Sequence, residues 1–567
     1  MQTQKHALRF IVTFLTLIGC LLIFIVKLSL IQVFKSNHLA ELAEKQHNHV
    51  IELEPVRGSI FDRNLRPLAF NVPVHSLFAN PKIMSLKDKQ RAVALLPSLL
   101  GVENQFVKQR LSKDKYFVWL KRKLPADTAK KIKDLNIRGL DFRKESKRFY
   151  PNGSLSAHVI GFADLDNEGI EGMELFYNKE LKGKPGKMQI LRDARQRELM
   201  IEQVYIPPQD GFDIVLTIDE TVQYITERAL FKAIEKNNAK AGSIIVLDIK
   251  TGEILALANY PTYNLEDAGN SHAANRTNRA VSFVYEPGSV FKIVAASAAL
   301  EEQTFVEDDK IFCENGEYRV ANHILHDHHP HGTLSFREVF EVSSNIGVTK
   351  IAEKLGADII YKYAKRFRFG ERTQIDLKGE VSGFLRHPSQ WSKTSIGAIP
   401  IGHEVTSTPL QNVCAIAAVA NEGYYMRPYI VKYIKDKKGQ IIKSFGPSVV
   451  DRVISSDTAS RVKDILAGVV ENGTGKKASI EGMRVAGKTG TAQKIENGTY
   501  SHSRFYATFI GFAPLDNPRL AAIVVFDEPH PQYFGGTVSA PVFKEVVENS
   551  LKYLKSIESI KVVHHQK

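Results

Sequence analysis

Phe10 to Val26 is an unbroken run of seventeen apolar or small residues, and Leu28 to Phe34 carries it on past Lys27. A backbone in lipid must satisfy its own hydrogen bonds, so a run of this length is expected as one helix across a bilayer, with Lys27 reaching toward the interface. Residues 1–9 then form a tail, 10–34 an anchor, and the chain beyond them a body that folds in water. Lys5, Arg9 and the amino terminus favour a cytoplasmic tail, although Lys27 and Lys35 add positive charge on the far side. A cleaved signal would want a small-residue cleavage site after the run, and none follows. Leu17-Ile18-Gly19-Cys20 looks like a lipoprotein box, yet apolar residues continue beyond Cys20, where the mature chain would begin. The expectation is an uncleaved anchor.

At 567 residues the chain has room for two or more domains, and 24% charged with 43% hydrophobic residues argues against wholesale disorder. Its net charge of +14 is spread along the chain rather than gathered in a stripe. That suits an anionic surface or substrate, and also nucleic acid, but no zinc-finger, RNP-type or Walker pattern supports the latter. Cys20, Cys313 and Cys414 form no disulfide framework; Cys313 and Cys414 could pair or stay free.

Residues 36–215 read as an irregular α+β region whose residues suggest no chemistry. Arg57 to Asn64 is a turn, a short strand and a turn, and Gly169, Gly172, Gly183 and Gly186 punctuate a run that contains Glu174. From Asp213 the pattern tightens. Ile214–Ile218 predicts a strand and Glu220–Lys236 an amphipathic helix. Gly242–Asp248 and Glu253–Ala258 predict strands joined as a hairpin by Ile249-Lys250-Thr251-Gly252. A helix is expected over Leu334–Lys354, and strands over Arg484–Lys494, Tyr506–Ala513 and Leu520–Asp527. Helices between blocks of strand predict an α/β or α+β domain with an antiparallel sheet.

Glu286-Pro287-Gly288-Ser289-Val290-Phe291-Lys292 runs into the apolar Ile293–Leu300. Pro287 and Gly288 break the chain, so Ser289 is expected at a helix N-terminus with Lys292 one turn on and on the same face. A serine hydroxyl needs a base to become a nucleophile, and Lys292 can serve only if its pKa is lowered. Ser112-Lys113-Asp114-Lys115 repeats the spacing, but as a solvated charged face with no apolar helix behind it. Ser343-Ser344-Asn345 adds a hydroxyl and an amide in a helical context. Lys488-Thr489-Gly490-Thr491, within an apparent strand, adds a cation, two hydroxyls and a glycine where a ligand can approach the backbone. Together these are the parts of acyl transfer: nucleophile Ser289, base Lys292, relay Ser343, amide clamp Asn345 and electrostatic partner Lys488.

The ordered set Ser-x-x-Lys, Ser-x-Asn, Lys-Thr-Gly resembles that of penicillin-binding proteins and serine β-lactamases. Lys250-Thr251-Gly252 spells the third motif too, but it precedes Ser289 and sits in a hairpin turn. The Arg57–Asn64 motif, Arg148–Gly161, Leu216-Thr217-Ile218-Asp219, Thr408-Pro409-Leu410-Gln411 and Gly535-Gly536 extend the resemblance to class B penicillin-binding proteins over almost the whole chain. Glu286 and Asn345 look more like the division type than the elongation type, while Ile399–Thr406 departs from the glycine-rich stretch usual before Thr-Pro-Leu-Gln. The acidic motifs of a class A glycosyltransferase domain are missing, and too few residues follow Thr491 for the C-terminal repeat modules of some relatives.

The resemblance implies a membrane-anchored D,D-transpeptidase without a cofactor. Its architecture would be a penicillin-binding/β-lactamase-like transpeptidase domain, an antiparallel sheet flanked by helices, over 216–555. A non-catalytic α+β pedestal of the dimerisation type over 36–215 would precede it, and a tail over 556–567 would follow. Ser289 would attack a D-Ala-D-Ala stem peptide, the backbone N–H groups of Ser289 and Thr491 would form the oxyanion hole, and Thr489, Gly490 and Thr491 would bind substrate. Its partners would be peptidoglycan stems on glycan derived from lipid-linked precursor, a SEDS-family glycosyltransferase, other division proteins and the inner membrane, but not nucleic acid. The catalytic domain would lie in the periplasm or extracytoplasmic space, and β-lactams would acylate Ser289. A β-lactamase or β-lactam sensor, an elongation-type enzyme, or an inactive division scaffold are the alternatives. His326, Asp327, His328, His329 and His331 suggest a metal, but adjacent loop histidines diverge and no second ligand cluster accompanies them. A surface loop or groove rim is expected instead. Tyr506, Tyr533 and Phe534 suit either the groove or the core.

Overall fold

A computed structural model describes residues 2–37, 48–192, 198–496 and 498–565. The N-terminal run is one helix, Gln2–Ser29, continued by a π-helical turn, Leu30–Phe34. At about 1.5 Å per residue the helix alone exceeds the roughly 30 Å of a bilayer's hydrocarbon. Its apolar side chains, Phe10, Leu17 and Phe24 among them, stand exposed.

The chain forms two compact units, Met1–Val56 with Gly183–Asp210, and Arg57–Lys182 with Gly211–Lys567. The first contains a three-stranded antiparallel sheet in which Gly186–Arg192 lies between Asn48–Leu53 and Glu198–Ile206. In the second, the 13-residue strand Pro67–Ala79 pairs with Ile60–Phe61, Val118–Leu124 and Leu140–Phe149. Ile60–Phe61 in turn lies parallel to Asp213–Leu216, so the N-terminal and C-terminal parts of this unit share a sheet.

An ion cluster is buried beside that junction. Arg57 Nε and Arg148 Nε donate to opposite oxygens of Glu174 at 2.7 and 2.6 Å, and Arg57 Nη2 reaches the Glu174 carbonyl at 2.8 Å. The three residues are 1%, 4% and 0% exposed. Arg57 Nη1 also donates to Asn167 O and Asn178 Oδ1, and Arg148 Nη1 to Gly58 O and Asn71 Oδ1, but Glu174 is the carboxylate that balances both charges. The glycine-punctuated run wraps this carboxylate: a Cβ at Gly169 would lie 1.8 Å from the Glu174 carbonyl oxygen. Arg57 and Arg148 are thus structural.

The C-terminal part is built on a five-stranded antiparallel sheet, ordered Ile254–Tyr260, Ala241–Asp248, Leu520–Asp527, Thr499–Ala513, Ala486–Glu496. Side chains alternate across it: Ile244 and Val246 join one core with helices Glu220–Lys236 and Ala540–His565, while Ile245 and Leu247 join another with Lys292–Glu301 and Pro409–Ala420. Buried on all sides, Ile293–Leu300 is apolar all round apart from Ser297 rather than amphipathic. Two matching stretches prove to be helix caps. Asp219 accepts from Thr221 N and Val222 N, and Thr408 with Gln411 forms a capping box. The last helix runs through most of 556–567; residues 566 and 567 lie outside the described residues.

The hairpin turn is as expected. Asp248 accepts from Lys250 N, Thr251 N and Thr251 Oγ1, and Gly252 takes φ +79. The Lys250 side chain is half exposed. Lys250→Ala is expected to leave penicillin acylation within about twofold of wild type, since its nearest charge is a surface carboxylate; a tenfold loss in the acylation rate would contradict this placement.

One expectation needs correcting. Leu334–Lys354 is two helices, Phe336–Glu341 and Asn345–Leu355, and Ser343 between them has φ +63. The second helix is started by its N-cap Ser344, whose Oγ accepts from Gly347 N, together with Asp327, whose carboxylate accepts from Ser344 Oγ, Asn345 N and Ile346 N.

Candidate active site

Gly288–Phe291 is a single 3₁₀ turn leading straight into Lys292–Glu301. Gly288 has φ +58, and Gly402, at φ +85, packs so closely on it that a Cβ at 402 would lie 2.1 Å from the Gly288 carbonyl oxygen. The turn is therefore locked to the segment before Thr408. Glu286, on its other flank, accepts from Glu404 N at 2.9 Å and Tyr500 Oη at 3.3 Å and meets His403 Nδ1 at 3.0 Å.

Ser289 opens onto a cleft of about 460 Å³ lined also by Ser343, Asn345, Thr489 and Thr491. Beneath it Lys292 and Lys488 are both fully buried. Lys292 Nζ donates to Ser343 O at 2.7 Å, Asn345 Oδ1 at 2.8 Å and Ser343 Oγ at 3.3 Å. Lys488 Nζ donates to Ser343 Oγ at 2.8 Å and to Thr489 O at 3.3 Å. The positive φ of Ser343 makes this convergence possible, because it turns carbonyl and hydroxyl together toward the lysines. With two donors on its oxygen, that hydroxyl keeps one proton to donate elsewhere.

Burial pushes the Lys292 amine down to about 7, against the pull of Asp327. Burial, and then the neighbouring Lys292, holds Lys488 well below the usual lysine range. At neutral pH the pair therefore carries fewer than two positive charges, and an amine able to accept a proton lies in the site. Ser289 Oγ has no hydrogen-bond partner among the described residues; Lys292 is held by the Ser343–Asn345 segment instead.

Thr489 and Thr491 lie on the edge strand Ala486–Glu496, paired with Phe509 and Ala507. Gly490 lets the strand close on the nucleophile turn: a Cβ there would meet Val290 Cγ1 at 3.0 Å and Pro287 O at 3.1 Å. Gly535 donates to Thr491 Oγ1 at 3.2 Å from a place where a Cβ would sit 2.2 Å from Thr508 O. Only glycine fits there, which gives Gly535-Gly536 its reason.

His328 and His329 line the cleft, His328 with its ring 4.9 Å from Phe534, while His326 faces Glu317 at 3.7 Å and Asp327 caps the helix. Among the described residues no cluster of three or more His, Cys, Asp or Glu is placed to hold a metal. Of the aromatic residues, Phe534 lines the cleft, Tyr506 packs with Phe283 and Tyr285, and Tyr533 stacks on Phe505. Cys313 and Cys414 are both buried and unpaired. Sequence reasoning missed Thr474, whose Oγ1 lies 2.7 Å from Thr489 Oγ1. Its only signal is Asn472-Gly473-Thr474-Gly475, a helix-ending stretch that reads as an ordinary loop. Asp327 was hidden among the histidines.

Residues 242–548 match the family model for the penicillin-binding protein transpeptidase domain, and 52–216 match the penicillin-binding protein dimerisation domain. The chain is 34% identical to stage V sporulation protein D of Bacillus subtilis, over 98% of this chain and 87% of that one. It is 32% identical to the peptidoglycan D,D-transpeptidase FtsI of Escherichia coli, over 97% and 93%. Among solved structures, penicillin-binding protein 3 of Mycobacterium tuberculosis complexed with ampicillin superposes with a TM-score of 0.70 at 28% identity, over 89% of this chain and 96% of that one.

Proposed function

The chain belongs to the class B penicillin-binding proteins of the division type and is a peptidoglycan D,D-transpeptidase, and on that premise we propose that Ser289 is its nucleophile. The observation that carries this is the meeting of two buried lysines on Ser343 under the open hydroxyl of Ser289. Ser289 Oγ attacks the carbonyl of the penultimate D-alanine, and its proton passes to neutral Lys292. The Oγ–C bond forms, the C–N bond to the terminal D-alanine breaks, and the leaving amine takes a proton through Ser343. An amine of a second stem then attacks the acyl-enzyme, closing the cross-link and freeing Ser289. Backbone N–H groups of Ser289 and Thr491 hold the oxyanion, Asn345 clamps the substrate amide, and Thr489 and Thr491 bind its carboxylate.

Residues 10–34 anchor the chain, with residues 1–9 inside and the catalytic domain outside the cytoplasmic membrane. The pedestal occupies 36–215 and the transpeptidase domain 216–555. The reading extends to a SEDS-family glycosyltransferase and other division proteins as partners, and to glycan from lipid-linked precursor as the strand that carries the stems.

The test is a fluorescent penicillin followed for both uptake and loss, with mass mapping of the labelled peptide. Stable label on the peptide containing Ser289 is the expected result. Release within minutes would mean a β-lactamase, and no uptake an inactive scaffold. The pH profile tests the base. Below about 7 Lys292 is an ammonium and cannot accept a proton; above it the amine can. The acylation rate is therefore expected to rise through that region and then level off, whereas a rate flat from about pH 5.5 to about 8.5 would remove Lys292 from the role.

A further inference from the structure

The positive charge expected to be spread along the chain is concentrated in one lobe. Residues 80–147 carry eighteen lysines and arginines against seven aspartates and glutamates, which accounts for eleven of the fourteen excess positive charges. The lobe has a core of its own, in which Leu77, Ala92, Leu96, Val107 and Leu120 meet, so these charges share one compact surface.

Two helices of the lobe, Leu86–Leu100 and Asn104–Leu111, are separated by a short turn in which Gly101, at φ +63, ends the first. Ala92, Leu96 and Leu100 recur every four residues and enter the core. Leu86, Lys89, Val93 and Ala94 recur at helical spacing on an adjoining face, and with Lys108 and Leu111 they line a groove of about 520 Å³. Leu111 is buried, Val93 half-buried and Leu86 74% exposed, so the groove is an apolar channel open to solvent. Each helix contributes one lysine to it. Neither Lys89 nor Lys108 has an ion-pair or hydrogen-bond partner among the described residues, and no aspartate or glutamate among them lines the groove.

A channel between two helices accepts the side-chain ridge of a third. Charge selects its owner. A second copy of this chain would bring a lobe of the same sign against Lys89 and Lys108, and an anionic bilayer surface is too flat to fill a channel floored by Leu111. We propose that this groove docks an amphipathic helix of a partner polypeptide. Its apolar stripe packs on Val93, Ala94 and Leu111, and acidic residues flanking the stripe meet Lys89 and Lys108. The surface is separate from the cleft at Ser289, and the inference does not depend on the chemistry there.

The probe is a fluorescent helical peptide of about eighteen residues with leucines at i, i+3, i+4 and i+7 flanked by glutamates. Two relatives accompany it. One has lysine for every glutamate; the other keeps the composition but scatters the leucines around the helix. Binding is read by anisotropy on the full chain in phosphatidylcholine nanodiscs, with empty nanodiscs as the blank. The acidic amphipathic peptide is expected to bind at least about tenfold tighter than either relative, and to weaken as salt is raised to about 0.5 M. In the double variant Lys89→Glu, Lys108→Glu its preference over the lysine peptide is expected to fall below about threefold. Ala94→Trp, which fills the groove from an exposed position and leaves the charge unchanged, is expected to weaken the acidic peptide at least about fivefold. Circular dichroism and thermal melting check that both variants fold. Equal binding of the three peptides by wild type, or an acidic preference that survives both variants, would overturn the proposal. Phosphatidylglycerol vesicles bound through the same lysines while no peptide binds would make the surface a lipid site and overturn it too. A dimer that Ala94→Trp dissolves, without peptide binding, would do the same by making the groove an interface between copies.

Discussion

Ser289→Ala is expected to fold as wild type does and to take up no penicillin, a loss of at least about a thousandfold in acylation rate. The effect is this large because no second hydroxyl can replace the first. Ser343 Oγ lines the same cleft but accepts from both Lys292 and Lys488, and its backbone is fixed at φ +63. The folding penalty is small because Ser289 Oγ has no partner among the described residues, so its removal leaves no buried group unsatisfied. Label uptake is read by gel fluorescence against circular dichroism and thermal melting of the same preparation. Labelling that survives in the variant, at any stoichiometry near one, would refute the assignment of the nucleophile.

The second large effect is on stability, far from the chemistry. Glu174→Ala removes the one carboxylate that Arg57 and Arg148 share, and both guanidinium groups stay 1–4% exposed in a packed interior. Breaking a buried pair by deleting one partner costs about 3–5 kcal/mol, because the surviving charge is left without solvation. Here two charges survive, so the upper end is expected. Glu174→Gln keeps one carbonyl acceptor and should cost less. The urea midpoint of unfolding for both variants gives the comparison, and a Glu174→Ala midpoint equal to wild type would show that water reaches the cluster. Since Ile60–Phe61, beside Arg57, pairs with Asp213–Leu216, destabilisation here should also reduce the fraction of chain competent for acylation.

The local elements were largely readable. Glu220–Lys236 was legible from its amphipathic helical period, and the Ala241–Tyr260 hairpin from two apolar runs around turn residues. Ile254–Tyr260 and Leu520–Asp527 lie on either side of Ala241–Asp248 in the sheet, although Leu520–Asp527 is more than 250 residues away in sequence. Pairing at that distance leaves no local signal, so the strand order was not readable. Nor was the role of Arg57, Arg148 and Glu174, since an arginine in a turn motif reads the same whether it meets water or a buried carboxylate.

The sequence alone determined that the chain carries one long apolar segment, that Ser289 lies just ahead of an apolar helix with Lys292 three residues on, and that Ser343-Ser344-Asn345 and Lys488-Thr489-Gly490-Thr491 offer the hydroxyls, amide and cation expected of an acyl-transfer set. Short-range chemistry suffices for these statements, because helix period, turn residues and side-chain type act over a few positions. The tertiary structure alone decided that Leu334–Lys354 breaks at Ser343, and why. Ser344 caps the second helix locally through Gly347 N, but the N–H groups of Asn345 and Ile346 are met by Asp327, sixteen residues before Ser343, and nothing within the segment announces a partner that comes from outside it. That break places a carbonyl and a hydroxyl under two lysines brought in from positions 292 and 488. The lowered pKa of Lys292 follows from burial, and that of Lys488 from burial and then the neighbouring Lys292, and both arise from distances in space that residue spacing along the chain does not contain.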